Sequence, residues 1–364
     1  MNASPPQKPA WLKVLDEINA QTPPNSDIVR RAKLTQMRQH TGRSVIVHAS
    51  ACTVPSKILP PQAIMIDFAD IKAFETVADK LSPGPLDVIL HTAGGIAEAV
   101  EGIASVIRPK FNPVRFIIPH IAKSAGTMLA LLGNEVALHP NGELGPIDPQ
   151  MIIGNMVASA EAIISQFEQI KDEILGNPSR AIPAAPQRIS LWGPILATMG
   201  PALLVQCENA RQFGKQLVVH FLTQHMFSGD PMGQAKAQGV ADALSDYSRW
   251  LSHGAKVDLP ALQRLNVNAT SLTNDPVLLN LVDEVWAAYD LTLSNTPAIR
   301  ITENHLGEAL VRNMGAQPAL AIQLGPPPGQ QPPQAPGQRP PQARGQQPPQ
   351  APGQQPPQRS SGQP

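Results

Sequence analysis

Apolar and polar positions along the first 140 residues alternate between a helical and a strand period. Asp27 to His40 reads as a helix with Asp27 as its cap, and Ser44-Val-Ile-Val-His48 as a strand. Asp70 to Leu81 is helical, and Asp87 to His91 is a strand ending in Thr92-Ala-Gly-Gly95. Ile96 to Ile107 forms a helix stopped by Pro109, and Val114 to Ile118 another strand. Ser124 to Leu132 follows as a short helix and Glu135 to Leu138 as a short strand. Strands alternating with helices predict βαβ units with right-handed crossovers, an α/β fold. Two longer helical stretches come next, Val157 to Leu175 and Pro201 to about Leu222.

The pattern stops near residue 315. From Gly325 onward there is no Leu, Ile, Val or aromatic residue, and glycine recurs at Gly329, Gly337, Gly345 and Gly353 in units such as GQQPPQAP. Such a segment has no apolar surface to offset its ordering entropy, which predicts a disordered tail with polyproline II character. It serves as a spacer or as a ligand for a proline-recognition groove. Three regions follow: an extension over 1–26, a domain over 27–315 and a Pro/Gln/Gly repeat tail over 316–364. Ile189 to Cys207 carries no charge, but Gly193-Pro194 and Gly200-Pro201 would break a membrane-spanning helix, so an apolar loop leading into a helix is expected.

Charge alters this picture little. Lys plus Arg equals Asp plus Glu, 28 each, and aromatics are 4%, so neither a nucleic-acid platform nor an acidic membrane surface is indicated. Cys52 and Cys207 lack a CxxC partner and read as buried thiols in a reducing compartment, with no metal and no cofactor expected. The first residues carry no apolar core of signal-peptide length, so a cytoplasmic location is expected.

The candidate chemistry lies in two small-residue turns, each following a strand. One is His91-Thr-Ala-Gly-Gly95, the other Ala122-Lys-Ser-Ala-Gly-Thr127. A serine where a strand turns into a helix stands exposed at the tip, and the helix start stabilises nearby negative charge. The backbone N–H of Ala125 and those of the Gly94-Gly95 turn can together hold an oxyanion. A helix cap beside a tight turn accounts for the same residues.

Val88 to Gly95, then a helix, a strand and IAKSAGTMLAL, resembles the Clp-class serine peptidases and signal peptide peptidase A. ELGPIDPQ (Glu143 to Gln150), RRAKLTQMRQHTGRSVIVHAS and FSGDPMGQAKAQGVAD (Phe227 to Asp242) make the chain similar to the serine dehydrogenase proteinases over roughly residues 27 to 265. The resemblance implies a Clp/crotonase fold, a spiral of βαβ units that assembles as homo-oligomers, trimers or larger. It also implies a peptide or protein substrate, Ser124 as nucleophile, and Ala125 and Gly95 as oxyanion donors. Unlike membrane-bound relatives, this chain has no evident transmembrane segment.

A serine needs a neighbouring base. Clp-type peptidases use a histidine just after the strand that follows the nucleophile helix, but Glu143 to Asp148 contains none, and His139 comes a few residues early. Signal peptide peptidase relatives use a lysine on a later helix. Here that helix offers Lys171, which shares a stripe with Ile164, Phe167 and Ile174. Drawn into an apolar site, its amine loses solvation and its pKa falls; at the stripe's edge it snorkels instead. Lys215 lies to the side of the apolar face of its helix, and Lys123 should diverge from Ser124. His91 and His120 read as packing or capping groups. Asp148 either ends a turn before Pro149 or orients the base, and Trp192 and Met199 line a groove or pack in the core. The expected function is serine endopeptidase chemistry on Ser124 with a lysine base. The alternatives are an inactive peptide-binding scaffold and an acyl-CoA enzyme of the crotonase type.

Overall fold

The computed structural model describes residues 8–153, 156–197, 199–200 and 202–315. The expected tail over 316–364 lies outside them. Helix α1 (Ala10–Asn19) packs across α2 (Ser26–Thr41), whose cap is Asn25 and not Asp27: the Asn25 side chain accepts from the N–H groups of Asp27 and Ile28. β1 (Ser44–Ser50) then leads through α3 (Pro61–Ile64) to α4 (Phe68–Asp79), which starts two residues earlier than expected because Asp67 and Asp70 form a capping box.

β2 (Gly84–His91), α5 (Ala97–Ile107), β3 (Phe111–Ile118), β4 (Ile121–Ala122), α6 (Ala125–Ala130) and β5 (Glu135–Leu138) follow; all but β4, which is too short to show a period, match predicted elements, with β2 and β3 starting three residues earlier than expected. After β6 (Glu143–Leu144), a hairpin of β7 (Gln150–Ile153) and β8 (Met156–Ser159) precedes α7 (Ala160–Leu175). The sequence had shown no hairpin there, since Met156 to Ser159 merges with the helical apolar pattern that follows. The uncharged stretch forms a short helix, α8 (Ile189–Leu196), with Pro194 inside it, rather than a loop. α9 (Leu203–Phe221), α10 (Gly233–Ser245), α11 (Tyr247–Trp250) and α12 (Leu259–Arg264) lead to β9 (Ala269–Ser271). α13 (Pro276–Asn295), β10 (Ala298–Asn304) and β11 (Ala309–Asn313) complete the described chain. Among the described residues no helix is long and apolar enough to cross a membrane.

The main sheet runs β11-β10-β1-β2-β3-β5-β9. Its five strands from β1 to β9 are parallel, while β10 lies antiparallel on β1 and β11 on β10. Side chains alternate between the two faces. Ile46, Val88, Phe116 and Val136 join Phe74, Val77, Val100 and Ile103 from α4 and α5. Val45, Val47, Ile89, Ile117 and Ala137 meet Leu34 and Met37 of α2 and Val282, Val285 and Tyr289 of α13. The result is a mixed α/β fold around a mostly parallel sheet, the ClpP-like arrangement, with helices on both faces. Within the expected extension over 1–26, α1 contributes to this packing. Val14 is fully buried against Ala287 and Ala288, a burial that contributes about 1.5–3 kcal/mol, and the buried Glu284 carboxylate pairs with Lys33 (2.8 Å) and Lys13 (2.5 Å).

Candidate active site

The site forms beyond the carboxyl ends of β2 and β3, where open parallel sheets place ligands. Past β2 the chain runs beside the short strand β4: Thr92 N–H donates to the Ile121 carbonyl (3.0 Å) and Lys123 N–H to the Thr92 carbonyl (3.1 Å). The two small-residue turns are thereby clamped side by side. In the second turn Gly126 N–H donates to the Lys123 carbonyl (2.7 Å), and Ser124 sits at φ +52°, ψ −119°. Those angles are the first central position of a type II′ turn, which favours glycine. A serine held there stores strain and projects its side chain from the tip of the turn.

Gly94 presses against Ser124, and Gly95 against Ile66. A Cβ on Gly94 would lie 2.7 Å from the Ser124 Cβ, and one on Gly95 would lie 2.2 Å from the Ile66 carbonyl oxygen. Ile66 N–H donates to the Gly94 carbonyl (2.8 Å), and Ile96 N–H to the Ile66 carbonyl (2.9 Å). Ile66 is itself fixed. Buried Arg300 donates to the Met65 carbonyl and pairs with Asp67 (2.9 Å) and Asp70 (3.0 Å), and Arg312 also pairs with Asp67 (2.7 Å). Burial pushes the Asp70 carboxyl up to about 6, against the pull of Arg300.

Of the three backbone groups expected at the oxyanion site, one is otherwise engaged. Gly94 N–H donates to the Thr92 hydroxyl (3.1 Å), so Gly94 supplies close approach rather than a donor. Among the described residues, the N–H groups of Gly95 and Ala125 have no acceptor. Thr127 secures the far side of the turn, its hydroxyl donating to the Ala122 carbonyl (2.9 Å) and accepting from Gly145 N–H (3.0 Å). Lys123 points away from Ser124, as its position predicts: Nζ bonds the carbonyls of Leu144 (2.9 Å) and Ala255 (3.2 Å) and pairs with Glu143 (2.6 Å).

The expected lysine environment is not present. Lys171 lies on the exposed side of α7, its ammonium paired with Glu168, and that pairing raises its pKa where a neutral amine base needs it lowered. Ile163 and Ile170, rather than the lysine, are buried on that helix. Lys215 pairs with Asp242 (2.9 Å). His139 has both ring nitrogens engaged, Nε2 with Asp283 (3.1 Å) and Nδ1 accepting from Asn141 N–H (3.0 Å). His91 is buried between His120 and Trp286, with Nε2 at 3.1 Å from the Thr53 hydroxyl, and burial lowers its pKa to about 3. Trp192 donates to Glu173 (3.3 Å), and Met199 packs beside Cys207 and Ile163.

A histidine that the sequence did not single out sits in a loop tied to the nucleophile turn, where the Ala255 carbonyl two residues on accepts from Lys123 Nζ (3.2 Å). His253 Nδ1 is 2.8 Å from Asp148 Oδ1, a carboxylate only 1% exposed, whose Oδ2 accepts from Gln150 Nε2 (2.8 Å). The two residues are 105 positions apart. Residues 144–148 and 253–257 meet through paired bonds between Leu144 and Val257 (3.0 and 3.1 Å). Both segments border the nucleophile turn, through Gly145 to Thr127 and through Ala255 to Lys123.

Residues 63–177 match the family model described as ClpP-like SDH-type serine proteinase. An uncharacterized protein of Methanocaldococcus jannaschii is 40% identical over 93 residues, 25% of this chain and 31% of that one. A second from the same organism is 40% identical over 67 residues, 18% and 23% of the two chains. The chain thus spans less than a third of the length of these curated relatives. Among solved structures, a serine-to-alanine mutant of the 1510-N membrane-bound stomatin-specific protease aligns with TM-score 0.23 and 22% identity, over 32% of this chain and 63% of that one. A lysine-to-alanine mutant of the same protease, in complex with a substrate peptide, gives 0.23 and 21%, over 35% and 67%. The strand–turn–serine–helix unit described above lies wholly inside the matched segment, and over residues 63–177 the chain is related to the ClpP-like SDH-type serine proteinases.

Proposed function

We propose that the chain is a serine peptidase that cleaves peptide bonds through an acyl-enzyme on Ser124, with no metal or cofactor. The observation that carries the reading is the strained II′ turn that holds Ser124 against Gly94, with the N–H groups of Gly95 and Ala125 unengaged beside it. A turn held away from its preferred conformation by tertiary contacts is a common sign of a functional tip. Attack by Ser124 Oγ on a carbonyl places negative charge on its oxygen, and two preorganised donors there stabilise the tetrahedral species by several kcal/mol. The family match over residues 63–177 supports the same chemistry.

Endopeptidase action on protein substrates and self-association belong to this proposal and rest on the resemblance, and a cytoplasmic location is proposed with them. A fluorophosphonate probe tests its centre. The wild-type protein should label, and Ser124→Ala should lose both labelling and peptidase activity while keeping its circular dichroism spectrum. Labelling of the folded Ser124→Ala variant would remove Ser124 as nucleophile.

A further inference from the structure

Resting on the assignment of Ser124 as nucleophile, we infer that His253 is the general base of this site and that Asp148 is the residue that positions it. A histidine acts as base toward a serine through one ring nitrogen when the other donates to a buried carboxylate, which fixes the tautomer and stabilises the imidazolium that forms. Asp148 and His253 form that pair. The carboxylate is buried, its second oxygen is taken by Gln150, and its first accepts from His253 Nδ1 at 2.8 Å. Nε2 is left as the acceptor. Among the described residues no protein group engages it, and the side chain is 26% exposed.

The backbone around His253 is held as a positioned base requires. Ala255 N–H donates to the Ser252 carbonyl (3.1 Å) and Gly254 N–H to the Ser252 hydroxyl (3.2 Å). The loop is then tied to the nucleophile turn by Lys123 Nζ at the Ala255 carbonyl and to the strand before Asp148 by the Leu144–Val257 bonds. Lys123 thus works as a tie between the serine's neighbour and the histidine's loop. The other candidates are committed elsewhere: Lys171 to Glu168, Lys215 to Asp242, His139 to Asp283 and Asn141.

In the acylation step the Ser124 Oγ–H bond breaks as Oγ bonds to the substrate carbonyl carbon, and the proton passes to His253 Nε2. The same proton moves to the departing amine as the C–N bond breaks. In deacylation water gives a proton to Nε2 as its oxygen bonds to the acyl carbon, and that proton returns to Ser124 Oγ as the ester bond breaks. Asp148 stays ionised throughout.

The test measures the fluorophosphonate labelling rate on the full chain, with circular dichroism and melting temperature for every variant. General-base catalysis contributes about 10²–10⁴-fold, so His253→Ala and His253→Gln should each lose labelling by a factor in that range. Added imidazole should restore part of the rate in His253→Ala, an effect that a merely structural histidine would not produce. Asp148→Asn should lose a comparable factor, and the Asp148→Asn/His253→Ala double variant little more than His253→Ala alone, because the two residues act as a unit. Lys171→Met should label at the wild-type rate. Wild-type labelling by folded His253→Gln, or no imidazole response in folded His253→Ala, overturns the inference while leaving Ser124 as nucleophile. If His253→Ala fails to fold, His253→Gln decides. Absence of Ser124 labelling in the wild type overturns both this inference and the proposed function.

Discussion

Gly95→Ala isolates the oxyanion donor from the nucleophile. A Cβ at this position would sit 2.2 Å from the Ile66 oxygen, 2.5 Å from its nitrogen and 2.8 Å from its carbonyl carbon. Contacts under 3.0 Å are essentially never tolerated, so the gap must open by at least 3.0 − 2.2 = 0.8 Å. Ile66 cannot yield easily. Its N–H and carbonyl are both bonded to the Gly94–Ile96 segment, and its neighbours Met65 and Asp67 are gripped by buried Arg300. The displacement therefore falls on Gly95 and carries its N–H away from the place where an oxyanion would form. Overpacking of this size costs about 1–3 kcal/mol of stability, and losing one oxyanion donor costs about 10²–10³ in rate. Gly42→Ala is the control: its φ is +69°, yet a Cβ there meets nothing within 4 Å, so it should lower the melting temperature slightly and leave labelling alone. Labelling rates and thermal melts on both variants suffice. Wild-type labelling by a folded Gly95→Ala would refute the role of this N–H.

Two further predictions concern the groups around the site. Arg300→Met strands Asp70, whose side chain is only 3% exposed, while Asp67 keeps Arg312; breaking a buried pair from one side costs about 3–5 kcal/mol, read as a fall in urea midpoint, and an unchanged midpoint would sink the idea that Arg300 anchors residues 65–70. His48 is fully buried, and desolvation lowers its pKa from 6.5 to about 3, so the unfolded chain takes up a proton that the folded chain refuses, and stability falls as pH drops from about 6.5 towards 3 at about 1.4 kcal/mol per pH unit. Asp70, raised from 3.8 to about 6, acts with the opposite sign, favouring the fold as pH falls from about 6 to 4. His48→Gln should therefore shallow the acid slope of urea-derived stability, and an unchanged slope would show that His48 does not titrate on unfolding.

The alternation of strands and helices, the two small-residue turns and the serine between them were legible in the sequence because each is written locally. A β-branched run such as Val45-Ile-Val favours a buried strand, and the double glycine permits φ values and a close approach that a Cβ forbids. The short strand Glu135–Leu138 was placed to the residue for the same reason. The base was not legible. Lys171 falls within a stripe of apolar residues, but periodicity defines a face without saying what covers it, and the fold leaves this lysine in water beside Glu168. The Asp148–His253 pair joins segments 105 residues apart, brought together by the Leu144–Val257 pairing and by Lys123 between Leu144 and Ala255. The engagement of Gly94 N–H with Thr92, and the grip of Arg300 from β10 on the segment beneath the glycine turn, likewise depend on how distant strands meet. Local chemistry determined which residues can turn, cap and alternate; which acid meets which base was decided by tertiary packing, because proximity across a sheet edge leaves no periodic trace in the chain.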